Sequence, residues 1–429
     1  MSYRLDARHS LLRQFGVPES WQDVSLGAIA DVVGGGTPSR DEGRYWQGGN
    51  IPWVTPTDLT ALDAKYLRKS AEQITPVGLA ESAATKLPVG AVLYTSRATI
   101  GAKAIAAVET TTNQGFASFV PRAVDGEFLY YLLDLATPVI KRLGAGTTFD
   151  EVSKRDIRKV HCAIPSNTDE QAAIASVLDA VDAAIDRARE ATAAIEKLRR
   201  GLMQELLPSW IGFRNIESDA MPMGVESIEI ARDVCNVCNG STPSRTEGRY
   251  WRNGSIAWLP TGKVHDRIIR HADEFVTDVA LRECSISILP KGTVLVGMIG
   301  QGRTRGMAAY LDIEACINQN FGAFVPREKV SGKWLFHYFD YHYGRLREVG
   351  GGTNQGAMNC FLLKRLRLPL PSVTRQLEVA AILDSVESLS EASRNKYARL
   401  DQLKKSLIHD LLTGGVRVDP ALFGKETAT

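Results

Sequence analysis

A ten-residue phrase occurs twice in this chain, as TPSRDEGRYW from Thr37 to Trp46 and as TPSRTEGRYW from Thr242 to Trp251, 205 residues apart. A period that long exceeds that of a solenoid repeat, so the chain must build two whole domains of one kind. The register continues beyond the phrase. IPWVTP from Ile51 answers to IAWLPT from Ile256, and NQGFASFVP from Asn113 to NQNFGAFVP from Asn318. QAAIASVLDAVD from Gln171 answers to QLEVAAILDSVE from Gln376, so both halves are complete copies. A chain of 429 residues has room for two filled cores.

Texture changes once in each half. Residues up to about 165 are rich in Gly, Pro, Thr and aromatics with short apolar runs such as AVLYT and FASFVP, the pattern of strands joined by turns. From Thr168 to Leu207 there is no proline and no glycine before Gly201, which predicts one long helix opened by a capping box of Thr168 and Gln171. Ile174, Val181, Ala188, Ile195 and Leu202, with Val177, Ala184, Ala191 and Leu198 between them, trace a heptad seam. Val379, Val386, Leu400 and Leu407 with Ile382, Leu389 and Leu403 repeat it. The expected fold is α+β: two homologous mixed α/β domains separated by two long helices that pair as an antiparallel intramolecular coiled coil with pseudo-twofold symmetry. The alternative is two amphipathic helices, each folded on its own domain. The boundaries expected are a first mixed α/β domain over 1–167, a central helix over 168–208, a second mixed α/β domain over 209–372, a C-terminal helix over 373–415 and a tail over 416–429.

Composition narrows the class. The net charge of +2 neither demands nor forbids nucleic acid, and six scattered cysteines suit a reducing compartment rather than a disulfide framework. No apolar run reaches the length of a membrane span and the charged start is unlike a signal peptide, so a cytoplasmic protein with no membrane partner is expected. Enzyme signatures are missing: no Asp/Asn-Pro-Pro-Tyr/Phe methylation motif, no GxxxxGK[ST] phosphate loop and no Pro-Asp pair of a nuclease. Cys235 and Cys238 form a CxxC pair without a second pair at zinc-finger distance, and His265, Asp266, His271 and Asp273 have no histidine-bearing counterpart in the first copy, so no metal and no catalytic residue is expected.

The GGGTPSR from Gly34, the CNGSTPSR around Cys238 and the helix opening on Glu170 and Gln171, with Arg375 and Gln376 in the second copy, resemble the DNA specificity subunits of type I restriction-modification systems. The resemblance covers nearly the whole chain. It implies a subunit without catalysis that binds double-stranded DNA at a split target site and docks two adenine methyltransferase (M) subunits, with nuclease-translocase restriction (R) subunits completing the assembly. S-adenosylmethionine, ATP and Mg would be held by those partners and no cofactor by this chain. The rivals left open are a coiled-coil scaffold with two protein-binding heads, and a self-contained modification enzyme.

Duplication separates framework from choice, because phosphate contacts position a protein and base contacts specify its site. The shared Thr37, Ser39, Arg40 and Arg44, with Thr242, Ser244, Arg245 and Arg249, fit the positioning role. Tyr45, Trp46 and Trp53 read as core, and Asn113, Gln114, Asn318 and Gln319 as structural. Between matched anchors, VLYTSRATIGAKA from Val92 faces VLVGMIGQGRTRGMAA from Val294, three residues longer. Arg97 and Lys103 in one copy and Gln301, Arg303 and Arg305 in the other are the residue types that pair with guanine and adenine edges. Thr147, Thr148, Thr353, Asn354 and Gln355 follow as second-rank candidates on the turns after GAG and GGG.

Overall fold

Ten short strands in each half, cut by the Gly- and Pro-rich turns, build the same three sheets twice. The computed structural model describes residues 18–144, 151–212, 226–300, 302–348 and 358–423. The first head carries β1 (Trp21–Ser25), β2 (Ala30–Gly34), β3 (Ile51–Val54), β4 (Tyr66–Leu67), β5 (Glu72–Ile74), β6 (Val92–Tyr94), β7 (Lys103–Ala106), β8 (Thr111–Thr112), β9 (Ala117–Pro121) and β10 (His161–Pro165). A five-stranded sheet runs in the order β2-β9-β6-β7-β4, a three-stranded sheet in the order β5-β3-β8, and β1 pairs with β10. The second head repeats this with β11 (Glu226–Glu229), β12 (Cys235–Asn239), β13 (Ile256–Leu259), β14 (Ile268–Ile269), β15 (Glu274–Val276), β16 (Val294–Gly297), β17 (Ala308–Leu311), β18 (Cys316–Ile317), β19 (Phe321–Pro326) and β20 (Arg367–Leu370). Its sheets are β12-β19-β16-β17-β14, β15-β13-β18 and β11-β20, the same pairing ten strands on.

The four longest helices among the described residues are α1 (Gly126–Gly144) and α3 (Gly332–Tyr341) in the heads, and the long α2 (Thr168–Leu206) and α4 (Val373–Leu412). The start of α2 differs from the expected capping box. Asn167 accepts from Asp169 N instead, and Gln171 is buried, donating to Pro165 O and accepting from Asp125 N just before α1. Gln376 does the same in the second copy, with Pro371 O and Ser331 N. A buried amide that satisfies two otherwise orphaned backbone groups cannot be lost cheaply, so each repeated glutamine ties a long helix to its head.

Compactness divides the chain through both long helices: Met1–Ala188 with Lys396–Thr429 form one unit, and Arg189–Asn395 the other. Each unit therefore holds a head and a segment of both helices. In the first unit, Ile174 and Leu178 of α2 and Leu411 and Leu412 of α4 share a core with Tyr94, Phe119 and Phe128. Lys404 meets Asp182 at 2.6 Å and Arg417 meets Glu170, so the two segments run antiparallel. In the second unit, Met203 of α2 and Val379 and Leu383 of α4 join Trp334, Phe336 and Phe339. Burying each such side chain stabilises by about 1.5–3 kcal/mol.

The helix pairing is polar where the heptad pattern predicts an apolar seam. Thr192 bonds Ser393, Ser390 bonds Glu196, and Arg394 pairs with both Glu196 and Glu387. Ala191, Leu198, Ile382, Leu389 and Leu403, all expected inside, are exposed. The reason lies in α3, which competes for the inner face. Its Asp340 receives Arg199 Nη1 from α2 at 2.6 Å and Arg267 Nη1 at 2.7 Å, and Arg267 Nε reaches Glu387 on α4 at 2.8 Å. The first head places Asp134 and Asp182 at the matched positions and meets them with Lys103 and Lys404.

Candidate nucleic-acid interface

The repeated phrase is a self-locking loop. Trp53 and Trp258 are buried on β3 and β13, and their indole N–H groups donate to Gly36 O and Ser241 O. Trp46 and Trp251 stand edge-on to them with ring centres 5.1 and 5.2 Å away, donating to Ser39 O and Ser244 O. Over each tryptophan pair lies one arginine: Arg40 is 3.8 Å from the Trp46 ring centre and Arg245 is 3.9 Å from that of Trp251. Glu72 and Glu274 hold the far side of these guanidinium groups. Arg44 pairs with Glu81 and Arg249 with Glu283, each carboxylate also accepting from the adjoining Tyr45 or Tyr250 hydroxyl. The phrase recurs because its Thr, Ser, two Arg, Tyr and Trp each have an intramolecular partner, and together they pin the Gly-Gly strand exit to the sheet.

That exit meets the second repeated motif. Gly36 N donates to Thr112 O and Ser241 N to Ile317 O, an approach so close that a Cβ on Gly35 would lie 2.0 Å from Thr112 O and one on Gly240 1.8 Å from Ile317 O. The Asn-Gln turn follows at once. Asn113 and Asn318 fold it by accepting from Gly115 N and Asn320 N, leaving Gln114 and Gln319 exposed at its tip. Their side-chain carbonyls accept from Thr37 and Thr242 at 2.5 and 2.7 Å.

The divergent segment is the hairpin loop between β6 and β7, and between β16 and β17. It starts on the same turn, since Ser96 N donates to Gly115 O and Met298 N to Asn320 O. Each head thus sets three segments side by side: the Thr-Pro-Ser loop, the Asn-Gln turn and the variable hairpin. The first hairpin turns through Ala98 at φ 60° and Gly101 at φ 102°; the longer second one turns through Gly300 and Gly306. Glu151 bridges to Arg97. Arg303 is exposed and its carbonyl accepts from Tyr343.

The type I restriction modification DNA specificity domain matches residues 18–197 and again residues 223–402. The chain belongs to that family. It is 30% identical over 295 residues to the type I restriction enzyme MjaIX specificity subunit of Methanocaldococcus jannaschii, covering 66% of this chain and 67% of that protein. The MjaVIII specificity subunit of the same organism is 23% identical over 308 residues, 69% of this chain and 72% of its own. Among solved structures, the type I restriction-modification S subunit from M. genitalium superposes with a TM-score of 0.62 at 14% identity, covering 94% of this chain and 98% of that one. A chain from work on complex assembly and conformational transition of the type I R-M system gives 0.55 at 18% identity, covering 94% and 100%. Specificity subunits are the non-catalytic DNA-recognition components of type I systems.

In this specificity subunit the expected site residues separate into three groups. Arg97, Arg303 and Arg305 lie on the variable hairpins, beside the framework. Lys103 does not, and this corrects its expected base-reading role. As the first residue of β7 it points inward, its side chain 7% exposed, with Nζ 2.9 Å from Asp134 and 3.4 Å from the Tyr130 ring centre. Burial pushes its ammonium down to about 8, with Asp134 only partly restoring it. Arg40, Arg44, Arg245 and Arg249 stay half-exposed while each pairs with a carboxylate of its own head, and the Thr37 and Thr242 hydroxyls donate to glutamines. Ser39 and Ser244 contribute carbonyls to indoles. Thr147, Thr148, Gln301, Thr353, Asn354 and Gln355 lie outside the described residues.

Cys235 and Cys238 sit on β12 three residues apart, hence on opposite faces of the strand, where one ion cannot reach both. Burial raises the Cys235 thiol to about 12. Asp266 and Asp273 close on the Lys263 ammonium at 2.6 and 3.1 Å, with His271 at 3.5 Å. Among the described residues no helix is long and apolar enough to cross a membrane.

Proposed function

We propose that this specificity subunit reads a bipartite duplex site, each head taking one half-site, and docks two adenine methyltransferase subunits, with restriction subunits completing the complex. The observation that carries the reading is a shared framework in both heads, the tryptophan-locked loop and the Asn-Gln turn, supporting hairpins that differ in length and sequence. Arg97 and Arg303 would then read different half-sites. The apolar Leu377, Ile382 and Leu389, exposed along α4, support docking of a partner subunit there. S-adenosylmethionine, ATP and Mg would be brought by the partners, and the assembly would act on host DNA in the cytoplasm.

Mapping methylated adenines across the host genome and footprinting the subunit with its methyltransferase partner test this together. Two short protected tracts separated by unread bases are expected. Arg97→Ala should relax sequence preference in one tract by about tenfold while leaving the other intact, and Arg303→Ala the reverse, as befits one bidentate base contact each. A single uninterrupted tract would refute the proposal.

A further inference from the structure

We propose that Gln114 and Gln319 are DNA-phosphate contacts common to both heads, and that Thr37 and Thr242 are the residues that aim them. The inference rests on the DNA-reading function above. In each head the threonine hydroxyl donates to the glutamine carbonyl across a sequence separation of 77 residues. This bond fixes which end of the amide faces which way. The two N–H donors of each amide then point away from the threonine, and among the described residues nothing accepts from them.

Stability does not explain the pair. Gln114 and Gln319 are exposed, and a hydrogen bond that water can replace adds little to folding. Asn113 and Asn318 already fold the turn on their own account. An exposed polar pair duplicated with the same geometry, where the adjoining hairpins have diverged in length and sequence, serves something both half-sites share. Two half-sites read by different hairpins share no required base, but every duplex offers the same phosphodiester oxygens. An outward amide tip beside a base-reading hairpin matches that acceptor.

The test uses the full-length chain with Gln114→Ala, Gln319→Ala and both together, and measures binding to a duplex carrying the target site and to an unrelated duplex over a salt series. Each single variant is expected to weaken both duplexes equally, by about tenfold for loss of a hydrogen bond to a charged group. The double variant should lose about a hundredfold, the product for independent sites. The salt slope should stay unchanged, because a neutral amide displaces no counterion. Thr242→Val should copy Gln319→Ala and Thr242→Ser should restore binding, with thermal unfolding unmoved in all variants. Loss confined to the target duplex would overturn the proposal in favour of a shared base, as would unchanged affinity, or a lowered melting temperature that reveals a folding latch. If the wild-type chain binds neither duplex, the DNA-reading function itself falls, an outcome separate from failure of the glutamines alone.

Discussion

Asp340→Ala is expected to lower the stability of the unit spanning Arg189–Asn395 by about 3–5 kcal/mol. Asp340 is 13% exposed and accepts from Arg199 Nη1 at 2.6 Å and from Arg267 Nη1 and Nη2 at 2.7 and 3.0 Å. Burial opposes its ionisation, but the bonds and charge of Arg267, and then Arg199, more than offset this and hold its carboxyl at about 2. Arg199, Arg267 and Arg394 face Glu196, Asp340 and Glu387, so the network is neutral as it stands. Removing Asp340 leaves a positive charge uncompensated between Arg199 and Arg267. The backbone adds to the loss, because Arg267 holds φ 59° and ψ −52°, a conformation that costs about 1–3 kcal/mol and needs its surroundings to enforce it. Hydrogen exchange across α3 measures the effect. A drop in opening free energy below about 1 kcal/mol would mean that the arginines are solvated and that the network does not hold the head to α2 and α4.

That network shows which parts of the molecule were legible in the sequence. The duplication was, because closely similar phrases at a nearly constant offset require the same fold twice, and every sheet of the first head recurs in the second. The two long helices were legible from composition, with α2 ending at Leu206. Their packing was not. A heptad reading assumes that a helix meets only another helix, whereas Asp340 and Arg267 bring a head into the same face and move the buried stripe onto Arg199, Met203, Leu383 and Glu387. One signal was available: acids at Asp134 and Asp340, acids at Asp182 and Glu387, and cations at Lys404 and Arg199 fall at matched positions on otherwise apolar faces.

The three segments that each head sets side by side were legible in the sequence, and the partners of their side chains were not. Shared arginines looked like phosphate ligands because residue type is visible in a sequence and the facing carboxylate is not. Glu72, Glu81, Glu274 and Glu283 stand some thirty residues away and reach Arg40, Arg44, Arg245 and Arg249 only through the fold, from β5 and β15 and from the short helices that follow them. Lys103 misled for a different reason. It is the first residue of β7, and β-strand alternation turns it toward α1 rather than out with Arg97. Gln114 and Gln319, which the same duplication made look structural, are the exposed ones.

Acidification should unfold the second unit in two stages, the first set by His342. This residue is 4% exposed at the end of α3, packs its ring 4.6 Å from that of Tyr338, and donates from Nε2 to Pro208 O at 2.9 Å. Burial pushes its imidazole down to about 4; the bond to Pro208 O works the other way and the nearby Arg345 reinforces the fall. An unfolded histidine titrates near 6.5, so between about pH 6.5 and 4 the unfolded chain binds a proton that the folded one refuses. Stability is therefore complete above about pH 6.5 and declines as pH falls through 4, by up to about 3 kcal/mol. Asp340 sets the second stage, since its depressed carboxyl contributes stability above about pH 3.9 that is lost as pH drops toward 2. His342→Gln keeps a donor for Pro208 without the titration, and should flatten the first stage while leaving the second. The first unit is an internal control: Ala136 occupies the matched position there, and His161 lies exposed beside Asp23. Urea unfolding followed by hydrogen exchange at pH 7, 5.5 and 4.5 reads both units at once. Equal losses in the two, or none in the second, would place His342 in contact with water and remove it as the source of acid sensitivity.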